Sequence, residues 1–260
     1  RYVEDCAAVL SAFSGDPRFS RRAVAGHTEG ALVAAAAMRL AGSAARFEGL
    51  ALLCPSGKGA AASVEEALAS APPEYAAEAR AIMDALLRGE RYAEPSPYFA
   101  DFFRPSFQAY LASWFRYDLL AELAAAAGPL LLVQGNRDVQ VSLAEFYPLA
   151  KARPDAAAVI LPGMNHVLKE VPAELDENYR AFSDPGFPLA EGLAGLLAAF
   201  ARGEAPPEGL PRYDGGVMQE RQGEPEPEPE AEAPVPAPGA PGPDLQAAPS
   251  GAPQAGIPAP

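Results

Sequence analysis

Apolar residues recur at helical spacing from the start of the chain: Val3, Ala7, Leu10 and Phe13 share one face, and Gly15-Asp16-Pro17 stops the run. The pattern then shortens. Residues 22–26 predict a strand feeding a turn, and residues 29–40 an Ala-rich helix that ends near Gly42. Residues 47–54, F-E-G-L-A-L-L-C, form a buried-type strand closed by Pro55-Ser56-Gly57. Helix and strand thus alternate, which favours an α/β fold with a parallel sheet and crossover helices. Residues 58–127 break the rhythm. Helical patterns over 64–71 and 74–88 lead into a Pro-interrupted aromatic segment from Tyr98 to Tyr117, so this stretch is expected to be a helical insertion. Alternation resumes with a strand over 129–134, a helix over 143–152, a strand over 156–161 and a last amphipathic helix over 189–202.

The chain therefore divides into a first core part (1–57), the insertion (58–127), a second core part (128–203) and a tail (204–260). Residues 223–260 contain twelve prolines, six acidic residues and no Lys or Arg. Such a segment buries too little apolar surface to offset its ordering entropy, and the tail is expected to be disordered.

Charge and composition narrow the partners. The net charge is −14 at 260 residues, which argues against nucleic acid or an anionic membrane as the main partner. Part of that charge sits in the tail. No apolar run is free of breakers over a membrane-spanning length; residues 119–133 include Glu122, Gly128 and Pro129. No stable membrane insertion is expected. Two cysteines, Cys6 and Cys54, lack metal-ligand spacing and read as small buried apolar groups, so neither a disulfide framework nor a metal site is expected. The chain opens on Arg1 inside a helical pattern. Cytoplasmic residence is the favoured expectation, with a signal peptide ahead of Arg1 left open along with the oligomeric state.

Three loops carry candidate chemistry. Residues 24–30, V-A-G-H-T-E-G, place Thr28 on a strand-to-helix turn between Gly26 and Gly30. Alone this is a weak signal, because glycines flank such turns for steric reasons. After the strand over 129–134 comes G-N-R-D with Asp138, and after the strand over 156–161 comes P-G-M-N-H with His166. Taken singly, Asp138 reads as a turn residue and His166 as a surface histidine. Together they put a hydroxyl, a carboxylate and an imidazole at the carboxyl edge of one sheet, where ligands collect in open α/β folds. Only His27 and His166 exist, and His27 adjoins Thr28 on the turn with its side chain expected to diverge, so any histidine base is His166.

At this point the chain resembles the α/β-hydrolase superfamily, in a bacterial branch near the monoacylglycerol-lipase and serine-aminopeptidase type. The segments that carry the likeness are G-H-T-E-G, Q-G-N-R-D-V-Q-V-S, R-P-D-A, L-P-G-M-N-H-V-L-K, F-S-D-P-G-F-P-L and F-R-P-S-F-Q-A-Y-L-A-S-W-F-R-Y-D, and they cover most of residues 20–200. The resemblance implies a mostly parallel sheet with helices on both faces, and a triad of Thr28, Asp138 and His166 in the order nucleophile, acid, histidine. It further implies that the insertion is a lid, with Trp114 and Phe115 against substrate. The reaction implied is hydrolysis of a carboxylic ester or similar small acyl substrate, with no metal or organic cofactor.

Two departures accompany it. Only one helical pattern precedes the nucleophile strand, so the strands that come before it in such folds are expected to be missing, leaving the backbone N–H of Glu29 as the expected oxyanion donor. Threonine stands where the family has serine, and a β-branched residue is strained on that turn. The alternatives are therefore a working hydrolase, a silent relative that binds a ligand or protein partner through the same pocket, and a broken fragment.

Overall fold

The computed structural model describes residues 1–42, 47–68 and 72–213. Four strands form its sheet: β1 (Val24–His27), β2 (Leu50–Leu53), β3 (Leu130–Gly135) and β4 (Ala157–Leu161). All three pairings are parallel and the strands lie in sequence order, with Val24 opposite Leu50, Leu50 opposite Leu130 and Leu131 opposite Ala157. Every side chain of β2 and β3 is buried, as continuous apolar runs require when both sheet faces are covered.

The strand alternation sorts the core into two halves. Leu50, Leu52, Leu130, Leu132, Ala158 and Ile160 face helices α1 (Tyr2–Phe13), α2 (Glu29–Ala41), α6 (Leu119–Ala125) and α7 (Leu143–Ala152). Ala51, Leu53, Leu131, Val133, Val159 and Leu161 face α9 (Leu193–Arg202) through Leu193, Leu196 and Phe200. Strands laid down in sequence order and joined by crossovers of one hand receive all their crossover helices on one side. That places α2, α6 and α7 together and leaves the opposite face to α9, which follows the last strand. The fold is α/β, with a parallel sheet between two helical layers.

The break in rhythm after β2 has two parts. Helices α3 (Ala60–Ala67), α4 (Pro73–Leu87) and α5 (Pro105–Trp114), with a short 3₁₀ turn at Pro97–Phe99, build a separate apolar core from Leu68, Ile82, Leu86, Phe99, Phe103 and Leu111. Buried Gln108 ties it internally, donating to the carbonyls of Tyr92 and Phe103. Helix α6 instead returns to the sheet layer. The Asp118 carboxylate caps it, accepting from the amides of Leu120 and Ala121.

Several boundaries differ from the sequence expectation. Helix α3 begins earlier than the expected 64–71, and residues 69–71 lie outside the described part. Helix α9 begins at Leu193, because Gly192 takes a left-handed conformation (φ 80°) that starts the helix there. Helix α8 (Leu175–Ala181) was not expected at all. Residues 211–213, assigned to the tail from sequence, lie against β4: the Ile160 amide donates to the Pro211 carbonyl (3.1 Å) and the Tyr213 amide to the Ala158 carbonyl (3.0 Å). The rest of the expected tail, residues 214–260, lies outside the described residues.

Candidate functional site

The turn between β1 and α2 is built around Gly26. A Cβ there would sit 2.2 Å from the Gly30 carbonyl oxygen and 2.7 Å from Ala31 Cα, so only glycine lets the helix start this close to the strand. A Cβ on Gly30 meets nothing within 4 Å, so the two glycines of the motif do different work. Between them Thr28 is forced to φ 50° and ψ −117°, a strained conformation for a β-branched residue. Its amide is held by the Leu53 carbonyl at 2.9 Å and its side chain is exposed. The next amide, that of Glu29, is in the first turn of α2, where helical N–H groups have no intrahelical acceptor.

Two other strand ends converge through a second close approach. A Cβ on Gly135 would lie 1.9 Å from the Met164 carbonyl oxygen, and the Arg137 amide donates to that same oxygen at 3.0 Å. The loops after β3 and β4 are thereby pressed together. His166 Nδ1 lies 2.9 Å from Asp138 Oδ2 and 3.1 Å from Oδ1. The Asp138 side chain is fully buried and accepts further bonds from the amides of Gln140 (2.8 Å) and Val141 (2.9 Å) and from Gln134 Nε2 (3.1 Å). Burial alone would raise its pKa. The bonds from His166, Val141 and Gln140 outweigh that and hold the carboxyl below its ordinary value, so Asp138 is ionised and His166 Nδ1 carries the proton it shares.

Asn165 and Asn178, both buried, shape the His166 loop. Asn165 Oδ1 accepts from the amides of Val167 (3.1 Å) and Lys169 (3.0 Å), and its Nδ2 donates to Asn178 Oδ1 (3.2 Å). Asn178, on α8, also donates to the Arg137 carbonyl at 2.7 Å, clamping the Asp138 loop to the His166 loop. In the sequence the only hint of this is the dipeptide Asn165-His166; Gln134, a polar residue at the end of an apolar strand, is the more legible signal.

His27 and Cys54 join the cluster. His27 Nε2 is 2.7 Å from the His166 carbonyl, an acceptor, so this nitrogen carries a proton and donates it. The loop after β4 therefore reaches back across the sheet to the end of β1. Partial burial lowers the His27 pKa. Cys54, at the end of β2, is fully buried with φ 47°; burial first and the Asp138 charge second push its thiol up, leaving it protonated. His27, Cys54 and His166 each present one ligand-type atom, and these atoms lie within 4.8 Å of one another.

The sequence-derived residues are thus distributed unevenly. Asp138 and His166 form a bonded pair. Thr28 stands at the same sheet edge, but among the described residues its hydroxyl makes no hydrogen bond. A cleft of about 430 Å³ opens beside Glu29, walled by Tyr2, Leu32, Val33, Tyr110 and Trp114, between α1, α2 and α5. Phe115, paired with Trp114 from sequence, does not line the cleft and is buried in the α3–α5 core, against which Trp114 also packs. Neither Asp138 nor His166 lines that cleft, which lies on the α2 side of the turn.

No protein-family model matches the chain, and no curated protein matches it. Among solved structures, puromycin hydrolase is 19% identical over 78% of this chain, with a TM-score of 0.40. The match takes in 25% of that protein, so the chain spans about a quarter of its length. Est816, an N-acyl homoserine lactone degrading enzyme, is 22% identical over 69% of this chain and 73% of its own, with a TM-score of 0.38. The esterase RhEst1 from Rhodococcus sp. is 18% identical over 64% of each, with a TM-score of 0.35.

Proposed function

We propose that the chain is an acyl hydrolase of the α/β-hydrolase type, acting on carboxylic esters or similar small acyl substrates. One observation carries the reading: an ionised, fully buried carboxylate orients an imidazole at the sheet edge that also bears a strained hydroxyl residue. A structural ion pair would need no such neighbour. In this reading Asp138 fixes His166 with its proton on Nδ1, which leaves Nε2 free as the base. Nε2 takes the Thr28 proton as the hydroxyl oxygen attacks the substrate carbonyl, and the Glu29 amide binds the oxyanion that forms. The imidazolium then protonates the leaving alkoxide. Water, deprotonated in turn by His166, attacks the acyl-threonine and releases the acid. The α3–α5 unit would act as the lid, and the Trp114 cleft would take the acyl chain.

Residues that share one proton relay are non-additive on mutation. Hydrolysis of a short p-nitrophenyl ester should fall in both Asp138→Asn and His166→Ala, and the double variant should be no worse than His166→Ala alone. Losses that multiply would mean that the two residues do not serve one mechanism.

A second reading has its own observation. Among the described residues the Thr28 hydroxyl makes no hydrogen bond, to His166 or any other group, and this favours a silent relative that binds a ligand in the same place. Covalent labelling of Thr28 by an alkyl fluorophosphonate separates the two, since a silent binder would leave the probe unreacted.

A further inference from the structure

We propose that Cys54, His27 and His166 form a binding site for a thiophilic divalent cation, Zn²⁺ in the first instance, at the carboxyl edge of the sheet. The site does not depend on the hydrolase reading. It stands on the convergence of three side chains from three different strand ends, with ligand-type atoms within 4.8 Å of one another. Tetrahedral zinc bonds of about 2.0–2.3 Å place ligand atoms roughly 3.5 Å apart, so the cluster closes by up to about 1.3 Å on binding.

In each ring one nitrogen is already engaged, and a metal would take the other. His166 Nδ1 donates to Asp138, which leaves Nε2 as the ligand. His27 Nε2 donates to the His166 carbonyl, which leaves Nδ1. A histidine whose second nitrogen is fixed on a carboxylate or a backbone carbonyl is the arrangement found around protein-bound zinc. Both histidines here have one. Charge balances as well. Zinc displaces the Cys54 thiol proton to solvent, and the dication then meets one thiolate and the buried Asp138 carboxylate, for a net charge of zero. One sulfur and two imidazoles select Zn²⁺ or Co²⁺ over Mg²⁺ and Ca²⁺, which take oxygen ligands. Three protein ligands leave the fourth position to water.

A consequence follows for chemistry. His166 Nε2 cannot hold a metal and accept a proton at once, so occupancy would switch off a His166-dependent hydrolysis. That consequence alone rests on the proposed function.

The test is a Co²⁺ titration of the full chain with no substrate present. One equivalent should bind, with a thiolate-to-cobalt charge-transfer band in the near ultraviolet and the intense visible bands of tetrahedral cobalt, and Zn²⁺ should displace it. Cys54→Ser should abolish the charge-transfer band, while Cys6→Ser, on α1, should leave it intact. Asp138→Asn should weaken Zn²⁺ affinity by about 10–100-fold through the loss of the bond that orients His166. Should Cys54→Ser lose its fold by circular dichroism, His27→Gln carries the decision, with an expected loss of at least tenfold. A folded wild-type chain that binds no Co²⁺, a charge-transfer band that survives Cys54→Ser, or unchanged affinity in His27→Gln would each overturn the site.

Discussion

At Thr28 the backbone and the side chain make opposing demands. The turn needs a positive φ so that α2 can start against β1, and a β-branched residue resists that conformation. Serine has no such methyl. Thr28→Ser should therefore stabilise the fold by about 1 kcal/mol, and should raise both ester hydrolysis and fluorophosphonate labelling, read by mass spectrometry on residue 28. Equal turnover in the two forms would mean that threonine is a competent nucleophile here. The flanking glycines divide more sharply. Gly26→Ala drives a Cβ into backbone that cannot move without shifting α2, and it should cost several kcal/mol in urea unfolding, on the scale of overpacking. Gly30→Ala meets open space inside a helix and should be neutral or stabilising by up to about 1 kcal/mol. From sequence the two looked alike, because a motif records residue types and not which of them faces backbone.

Elements defined by continuous apolar runs were legible from the sequence. All four strands lie where L-A-L-L, L-L-L-V and their neighbours predict them, and α7 matches its expected span of 143–152. The strand ends were less legible. Phe47 extends the apolar pattern, yet β2 begins at Leu50; before it, Gly49 lies against the Phe200 ring, and a Cβ there would sit 2.6 Å from it. Helix α8 was invisible because it buries only Asn178 and Ala181, and its contribution is the polar clamp on the site loops. The Asp138–His166 pair could be anticipated from its strand-end spacing. The His27 bond could not, because it depends on a loop that crosses three strands. The carboxyl end of α6 is held in a similarly non-local way. Arg153, which follows β3 in sequence at the end of α7, donates to the carbonyls of Leu123 (3.1 Å), Ala126 (2.8 Å) and Gly128 (3.2 Å), where the chain leaves α6 for β3. Arg153→Met keeps the apolar stem and removes those donors. It should lower stability by about 1–3 kcal/mol without changing far-ultraviolet circular dichroism, measured by urea denaturation. An unchanged midpoint would mean that water replaces the guanidinium at no cost.

Across the molecule, a helical unit with its own core packs beside the helices that cover the sheet. The α3–α5 core closes on itself, and its α5 edge stands over α1 and α2, with Tyr110 at 6.2 Å from Tyr2. Between them lies the cleft that Trp114 helps to wall, next to the Glu29 end of the turn. Trp114 and Phe115 both pack on the α3–α5 core, but only Trp114 lines the cleft, so truncating each should have a different effect. Phe115 is packed within the unit, and Phe115→Ala should cost about 3–5 kcal/mol of stability through the cavity it leaves. Trp114 is half-buried on the cleft, and Trp114→Ala should cost less stability and more binding. If the cleft takes the acyl chain, each methylene that reaches the indole gains about 0.8 kcal/mol from burial, so KM should rise with chain length in the variant. Butyrate esters should be nearly unaffected, and decanoate esters should lose on the order of tenfold or more. Equal losses at every chain length would assign Trp114 to packing, and the acyl chain would then have to lie on the His166 side of the turn.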